Sequence, residues 1–176
     1  MRLLHTLTHP EVNLASSRVL RRTAARGIVL DGDEILLLYT QRYDDFSFPG
    51  GGIDDGENLE TGLQRELEEE TGARDIQVLS HYGFLDEYRP HWKPEYDLMY
   101  MRSHFFHCQV HRQLGETRLE PYEQANGMVP QWVSLNDAIH HNEMVMARKA
   151  SSMGQSIHRE TLMLKEVRDT AERFRG

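Results

Sequence analysis

FPGGGIDDGENLETGLQRELEEETGA, running from Phe48 to Ala73, passes from three consecutive glycines through an acidic stretch into a segment with helical periodicity. Asn58 is a residue type that caps helix N-termini. Leu59, Leu63 and Leu67 then recur at four-residue spacing up to Thr71, and Gly72 is the usual terminator. The spacing predicts a helix of three to four turns from Asn58 to Thr71. Between Asp54 and Glu70 stand eight acids and one base, Arg65, in seventeen residues. A solvated acidic face would explain that imbalance, and so would a cation site.

A helical wheel at about 100° per residue separates the two explanations. Leu59, Leu63 and Leu67 form one apolar stripe. Glu66, Glu69 and Glu70 cluster at its edge, with Glu70 directed between Leu59 and Leu63, towards the core. Glu68 falls on the opposite, solvated side. Three carboxylates crowded beside an apolar stripe repel one another, lose hydration, and face the unfavourable end of the helix dipole. A hard divalent cation, Mg²⁺ or Mn²⁺, relieves all three penalties with oxygen ligands presented from adjacent turns. The preceding glycines let backbone approach a ligand closely, which suits a cradle for metal-bound phosphates.

Working outward, Ala24–Leu30, the turn Asp31-Gly32-Asp33 and Glu34–Tyr39 read as a β-hairpin. The glycines at 50–52 read as irregular, Ile76–Leu85 and Leu98–Val110 as strands, and Glu87–Tyr96 as a polar, aromatic loop between them. Leu114–Pro130 reads as a second long loop and Gln131–Leu135 as a short strand. Ser134 with Asp137 opens a helix through His141. Ile157, Leu164, Val167, Ala171 and Phe174 keep helical spacing in a C-terminal helix, whose charges Lys165, Arg168, Arg173 and Arg175 alternate with acids and read as solvated. Strands alternating irregularly with helices give a mixed-sheet α/β domain with helices on both sides.

Composition narrows the function classes. At 176 residues, with 39% hydrophobic and 27% charged residues, the chain is sized for one globular domain. No apolar run reaches a membrane-spanning length, and the N-terminal stretch lacks the apolar core of a secretory signal. A single cysteine, Cys108, excludes an internal disulfide, so a cytoplasmic location is the expectation. The net charge of −8 argues against a nucleic-acid partner.

Gly51, Glu57, Arg65, Glu66, Glu69, Glu70 and Gly72 fall at the specified positions of the 23-residue signature of the Nudix hydrolases, and the segment Gly51 to Ala73 closely resembles that box. Leu67 fills its first aliphatic slot, while Ala73 is smaller than the usual residue at the last. The resemblance implies an α/β/α sandwich with a mixed β-sheet. It implies a Mg²⁺- or Mn²⁺-dependent hydrolase that cleaves a diphosphate linkage in a small nucleoside-diphosphate-type substrate joined to a further group X. Glu66, Glu69 and Glu70 would bind the metal, with the Gly50 carbonyl as an added ligand. Glu57 and Arg65 would pair, tying loop to helix. Glu66 is the first choice of proton acceptor, and Glu116, Glu120 and Glu123 in the long loop are the alternatives. A non-catalytic nucleotide-binding module and an RNA 5′-end pyrophosphohydrolase are the competing readings.

Other features weigh less. Tyr88, Arg89 and Trp92, in a loop of aromatics and bases, are candidates for contact with the nucleobase and phosphate, with Glu123 a further substrate contact. The same loop reads equally well as a stiff surface turn or dimer contact. His104, on the opposite strand face from His107 and His111, does not make a zinc site with them. Residues 1–21 read as an extension, either an edge strand, a homodimer contact or a plain arm, ahead of a hydrolase domain at 22–176.

Overall fold

The turn at Gly32-Asp33 sets the framework. In the computed structural model, which describes residues 1–174 and side chains through Ala171, β2 (Val19–Asp31) folds back there into β3 (Glu34–Thr40). The two strands pair only at Leu30↔Ile35 and Asp31↔Glu34, and then part. β2 runs parallel to β7 (Leu98–Gln109) from Val19↔Leu98 to Val29↔Cys108. β3 instead pairs antiparallel with β8 (Met128–Ser134) and with β4 (Asp45–Ser47). On the far side of β7 lies antiparallel β6 (Gln77–Arg89), and parallel β1 (Leu3–Thr8) closes that edge. The order is β1-β6-β7-β2-β3-β4, with β8 attached to β3.

Strand alternation gives the sheet two apolar faces. Helix α1 (Leu59–Thr71) sets Leu63 and Leu67 against Ala25, Val29, Leu36, Phe106 and Cys108. On the other face, α3 (Leu135–Arg148) and α4 (Ile157–Phe174) bring Ala138, Ile139, Met163, Leu164 and Val167 onto Ile28, Leu37, Leu85 and Phe105. This is the α/β arrangement of a mixed sheet between helices. No helix among the described residues is long and apolar enough to cross a membrane. The readings of Glu172, Arg173 and Phe174 as side chains, and of Arg175, lie outside the described residues.

Four sequence expectations are corrected. Gly50–Gly52 is not irregular: it forms β5, antiparallel to β2 at Ala24↔Gly52, Ala25↔Gly51 and Arg26↔Gly50. Gly50 has φ of 132°, and a Cβ there would press on the Ala25 carbonyl and stand 2.7 Å from the Arg26 Cα, so only glycine permits this approach. β6 continues to Arg89 because β7 and β1 supply partners along both its edges, making Tyr88 and Arg89 strand residues. The expected loop from Leu114 to Pro130 contains α2 (Pro121–Ala125), started by Pro121 at its first position, and the whole beginning of β8. Finally, α3 runs on past His141 to Arg148, ending at left-handed Lys149.

Asn142 holds α3 to the short strand β4. Its carboxamide accepts from the Phe46 N–H and donates to the Phe46 carbonyl, both at 3.0 Å, and the residue is fully buried. Asn142 therefore acts as a one-residue strand partner. Asn142→Leu leaves two buried backbone groups unpaired and is expected to cost about 2–4 kcal/mol in urea unfolding. A cost under about 0.5 kcal/mol would show that β4 needs no such partner.

Candidate functional site

The parting of β2 from β3 opens a cleft between the two halves of the sheet. The chain crosses this cleft at Phe48-Pro49, leaving β4 on the β3 side and entering β5 on the β2 side. A cavity of about 430 Å³ lies there. Arg26 and Gly50–Gly52 line it from β2 and β5, and Leu38, Ser47 and Met128 from the other half. Helix α1 contributes Glu66 and Glu70, and the α2 region contributes Glu120, Tyr122 and Glu123.

Helix α1 places its acids by ordinary local chemistry. The Asn58 side chain accepts from the Glu60 and Thr61 amides at 3.0 and 3.2 Å, fixing the first turn. Gly72, at φ 71°, ends the helix by donating to the Glu68 carbonyl. Leu67 packs against Gly27 of β2, turning the neighbouring acids towards the glycines. Glu70 is only 5% exposed and accepts the Gly50 N–H at 2.8 Å. Glu66 lies against Gly51. Burial pushes the Glu70 carboxyl well above the usual carboxylate range; the Gly50 N–H opposes that shift, and nearby Glu66 and Glu123 add to it. Burial also raises Glu66, with Arg65 opposing and Glu69 reinforcing.

Arg65 gathers the outer acids. It donates to Glu57 at 3.0 Å, to Glu66 at 3.2 Å and to Glu69 at 3.5 Å. Gly62 makes room for this clamp, because a Cβ there would run into the Glu57 carboxylate and the Ile53 side chain. Glu68 points away and pairs with Arg118 at the surface. Among the described residues no three His, Cys, Asp or Glu side chains stand round one point closely enough to hold an ion. Arg65 draws oxygens of Glu66 and Glu69 to itself, while Glu70 turns to Gly50. The donor set still suits a hard divalent cation: two carboxylates raised by burial, with Glu66 and Glu123 raising Glu70 further, are a charge deficit such an ion removes.

The other candidates scatter. Glu123 is buried, its carboxylate accepts the Glu120 N–H at 2.8 Å, and it faces the same cavity. Glu116 is outside it, near the Gly72 end of α1. Tyr88 and Arg89 line a different cavity of about 660 Å³, between β1, β6 and the start of α4. Trp92 is 81% exposed and lines neither. His81 and His104 meet at 2.9 Å, and burial lowers His104 to about 4, so this pair is neutral packing.

Sequence reading missed a row of buried charges between the sheet and α4. Arg26 faces Glu160 at 3.8 Å, Glu160 accepts from Arg159 at 2.9 Å, and Arg159 donates to Glu87 at 2.9 Å. Glu87 also pairs with Arg89 at 3.4 Å. A signal existed: the apolar stripe of α4 jumps from Ile157 to Leu164, and the turn between holds buried Glu160 and Thr161 instead.

A family model described as NUDIX domain matches residues 20–153. A protein of Caulobacter vibrioides named RNA pyrophosphohydrolase is 50% identical over 34 residues, covering 19% of this chain and 20% of that protein. One of the same name from Pseudoalteromonas translucida is 40% identical over 58 residues, covering 31% and 34%. The chain thus spans between about a fifth and about a third of the length of these relatives. Among solved structures, a NUDIX hydrolase from Nitrosomonas europaea superposes with a TM-score of 0.54 at 15% identity, covering 83% of this chain and 88% of that one. The E. coli ORF135 protein gives 0.52 at 17%, covering 85% and 92%. At such identities these two likenesses concern the fold.

The raised Glu70 carboxyl carries a stability consequence. A folded-state pKa above the unfolded value favours folding in full below the unfolded pKa, and that contribution is lost as pH rises through the folded one. Glu70→Gln keeps an acceptor for the Gly50 N–H and removes the charge. Without metal, the variant should match the parent near pH 4 and be the more stable at pH 8. Millimolar Mg²⁺ should then raise the melting temperature of the parent alone. Parallel melting curves across that pH range would contradict the placement of Glu70.

Proposed function

This chain belongs to the NUDIX domain family, and on that premise we propose that it is a divalent-metal-dependent hydrolase of a diphosphate linkage in a nucleoside-diphosphate-type substrate. The observation that carries the reading is the cavity at the parting of β2 and β3, where Glu66 and Glu70 sit beside glycine backbone with their proton affinities raised. Glu66, Glu69 and Glu70 would hold Mg²⁺ or Mn²⁺. When bound, such an ion supplies neutralisation of the diphosphate oxygens as charge shifts during attack on phosphorus.

The side chains supply the rest. Arg65 holds Glu57, Glu66 and Glu69 together, fixing the loop before α1 against the helix. Gly50 and Gly51 expose backbone to the cavity without side chains in the way. A carboxylate must take the proton of the attacking water, and Glu66, which lines the cavity against Gly51, is the first candidate, through an oxygen left free of the metal. Glu120 and Glu123 line the same cavity and are the alternative acceptors, whereas Glu116 does not line it. The substrate-contact role proposed for Tyr88 and Arg89 would require the substrate to extend into the second cavity.

A second reading takes the 5′ end of an RNA as substrate, and the names of the matched relatives favour it. The net charge of −8 counts the other way, since phosphate-backbone binding draws on an excess of cations. The two separate in one assay. Nucleoside triphosphates, nucleotide sugars, dinucleoside polyphosphates and a 5′-triphosphorylated RNA are offered with Mg²⁺ or Mn²⁺, and released phosphate is read with and without added phosphatase. A small nucleotide substrate should turn over, and Glu69→Gln or Glu70→Gln should lower turnover by roughly a hundredfold or more with the fold intact. Near-parental turnover in both variants would remove the metal role. Preference for the RNA, with KM rising steeply in salt, would establish the second reading.

A further inference from the structure

Four acids line the cleft cavity, and one cation, Arg26, lines it with them. Arg26 stands in β2 directly opposite Gly50, so its position is fixed by the closest backbone approach in the site. Its side chain is 13% exposed, and its only ion pair among the described residues is the loose one to Glu160 at 3.8 Å. No hydrogen bond joins its guanidinium to a described residue, and its Nε–H, like those of Arg89 and Arg159, is buried without a partner. Burial and the nearby Arg159 lower its pKa to about 10, which leaves it charged at neutral pH.

A largely buried guanidinium with no hydrogen bond is a costly arrangement for a structural residue. Arg159 differs at its terminal nitrogens, which donate to Glu87 and Glu160, and Glu160 further accepts the Phe48 N–H at 3.1 Å. The row is therefore complete without Arg26: removing it orphans no carboxylate. What Arg26 lacks is an anion within hydrogen-bonding distance, and its guanidinium lines the cavity.

We propose that Arg26 is the anion receptor of the cleft, donating to phosphate oxygens of the bound diphosphate that the metal-binding acids cannot contact. The proposal rests on the hydrolase reading above and deepens it. A planar guanidinium can donate two parallel N–H groups to one phosphate, which a lysine cannot reproduce. Arg26 thereby selects ligands with the diphosphate group seated beside Gly50, and its energetic cost in the free protein is offset on binding.

Imidodiphosphate, a diphosphate analogue resistant to hydrolysis, is the probe, titrated with Mg²⁺ into the parent, Arg26→Met and Arg26→Lys. Mn²⁺ alone is titrated in parallel by electron paramagnetic resonance. Arg26→Met should bind the analogue roughly ten- to a hundredfold more weakly. Arg26→Lys should fall between, and Mn²⁺ affinity should be unchanged in both. The ligand-free melting temperature of Arg26→Met should equal or exceed that of the parent, whereas a structural arginine would lower it. In Arg26→Ala, free guanidinium at millimolar concentration should restore part of the binding. Parental affinity of Arg26→Met for the analogue overturns the receptor role and leaves the hydrolase reading standing. So does an equal loss of Mn²⁺, or a lower melting temperature without rescue by lysine or guanidinium. Failure of the parent itself to bind the analogue with Mg²⁺ overturns both.

Discussion

β2 and β3 share two residue pairs and then separate. On the edges they vacate, β2 pairs with β5 at Ala24–Arg26 and β3 pairs with β4 at Leu38–Thr40. The outer edges stay paired throughout, β2 with β7 and β3 with β8, so the hairpin opens without leaving its backbone groups unmatched. The gap must be bridged by the chain itself, and Phe48-Pro49 does so. Phe48 buries its ring against Phe105, edge to face at 5.3 Å, and donates its N–H to Glu160. Pro49 has no N–H to satisfy, and its carbonyl accepts from Gly27. The cavity is the space this crossing leaves beside α1.

Charge is distributed round that crossing in two opposed groups. On the α1 side stand acids held close by a helix that has packed its leucines first. On the α4 side stands the row Arg26, Glu160, Arg159, Glu87 and Arg89. Buried ion pairs seldom add net stability, since desolvation consumes most of the attraction. A core of ordinary apolar residues would hold α4 to the sheet at least as well. The row instead extends a fixed positive group to the edge of the acid cavity, and it ends at Arg89 in the second cavity. Asp45, buried beside Glu160, is raised to about 6 by burial and that neighbour, so the fold tolerates yet another costly acid behind the crossing. Tolerated electrostatic cost is characteristic of sites organised for a ligand.

The fold class and the acid cluster were legible because both follow from local periodicity. Leucine spacing fixed the buried face of α1, and that face fixed where Glu66 and Glu70 must point. Asn58 and Gly72 bounded the helix for reasons contained in their own side chains. The glycines misled, because freedom in φ was read as irregularity; at Gly50 the same freedom admits a strand closer than any other residue allows. Arg89 was assigned to a loop because the prolines at 90 and 94 lie near it, whereas pairing on both edges of β6 carries the strand up to Arg89. Arg26 escaped notice for a different reason. Its burial depends on β5, α4 and the crossing at Phe48, elements up to about 130 residues away in sequence, and no local pattern encodes that meeting.

Glu160 makes the two groups interdependent. One carboxylate accepts from Arg159 and from the Phe48 N–H while facing Arg26, so it ties α4 to the crossing that ends two residues later at Gly50. Gly50 in turn donates to Glu70. A displacement of α4 would therefore reach the acids through three consecutive residues of extended backbone rather than through a flexible loop. The Pro49 carbonyl, which accepts from Gly27 of β2, anchors the middle of that run to the sheet. The second cavity opens beside the first turn of α4, at His158 and Met153. The first turn of α4 thus borders the second cavity, while Glu160 of the same helix is joined to Glu70 through Phe48, Pro49 and Gly50.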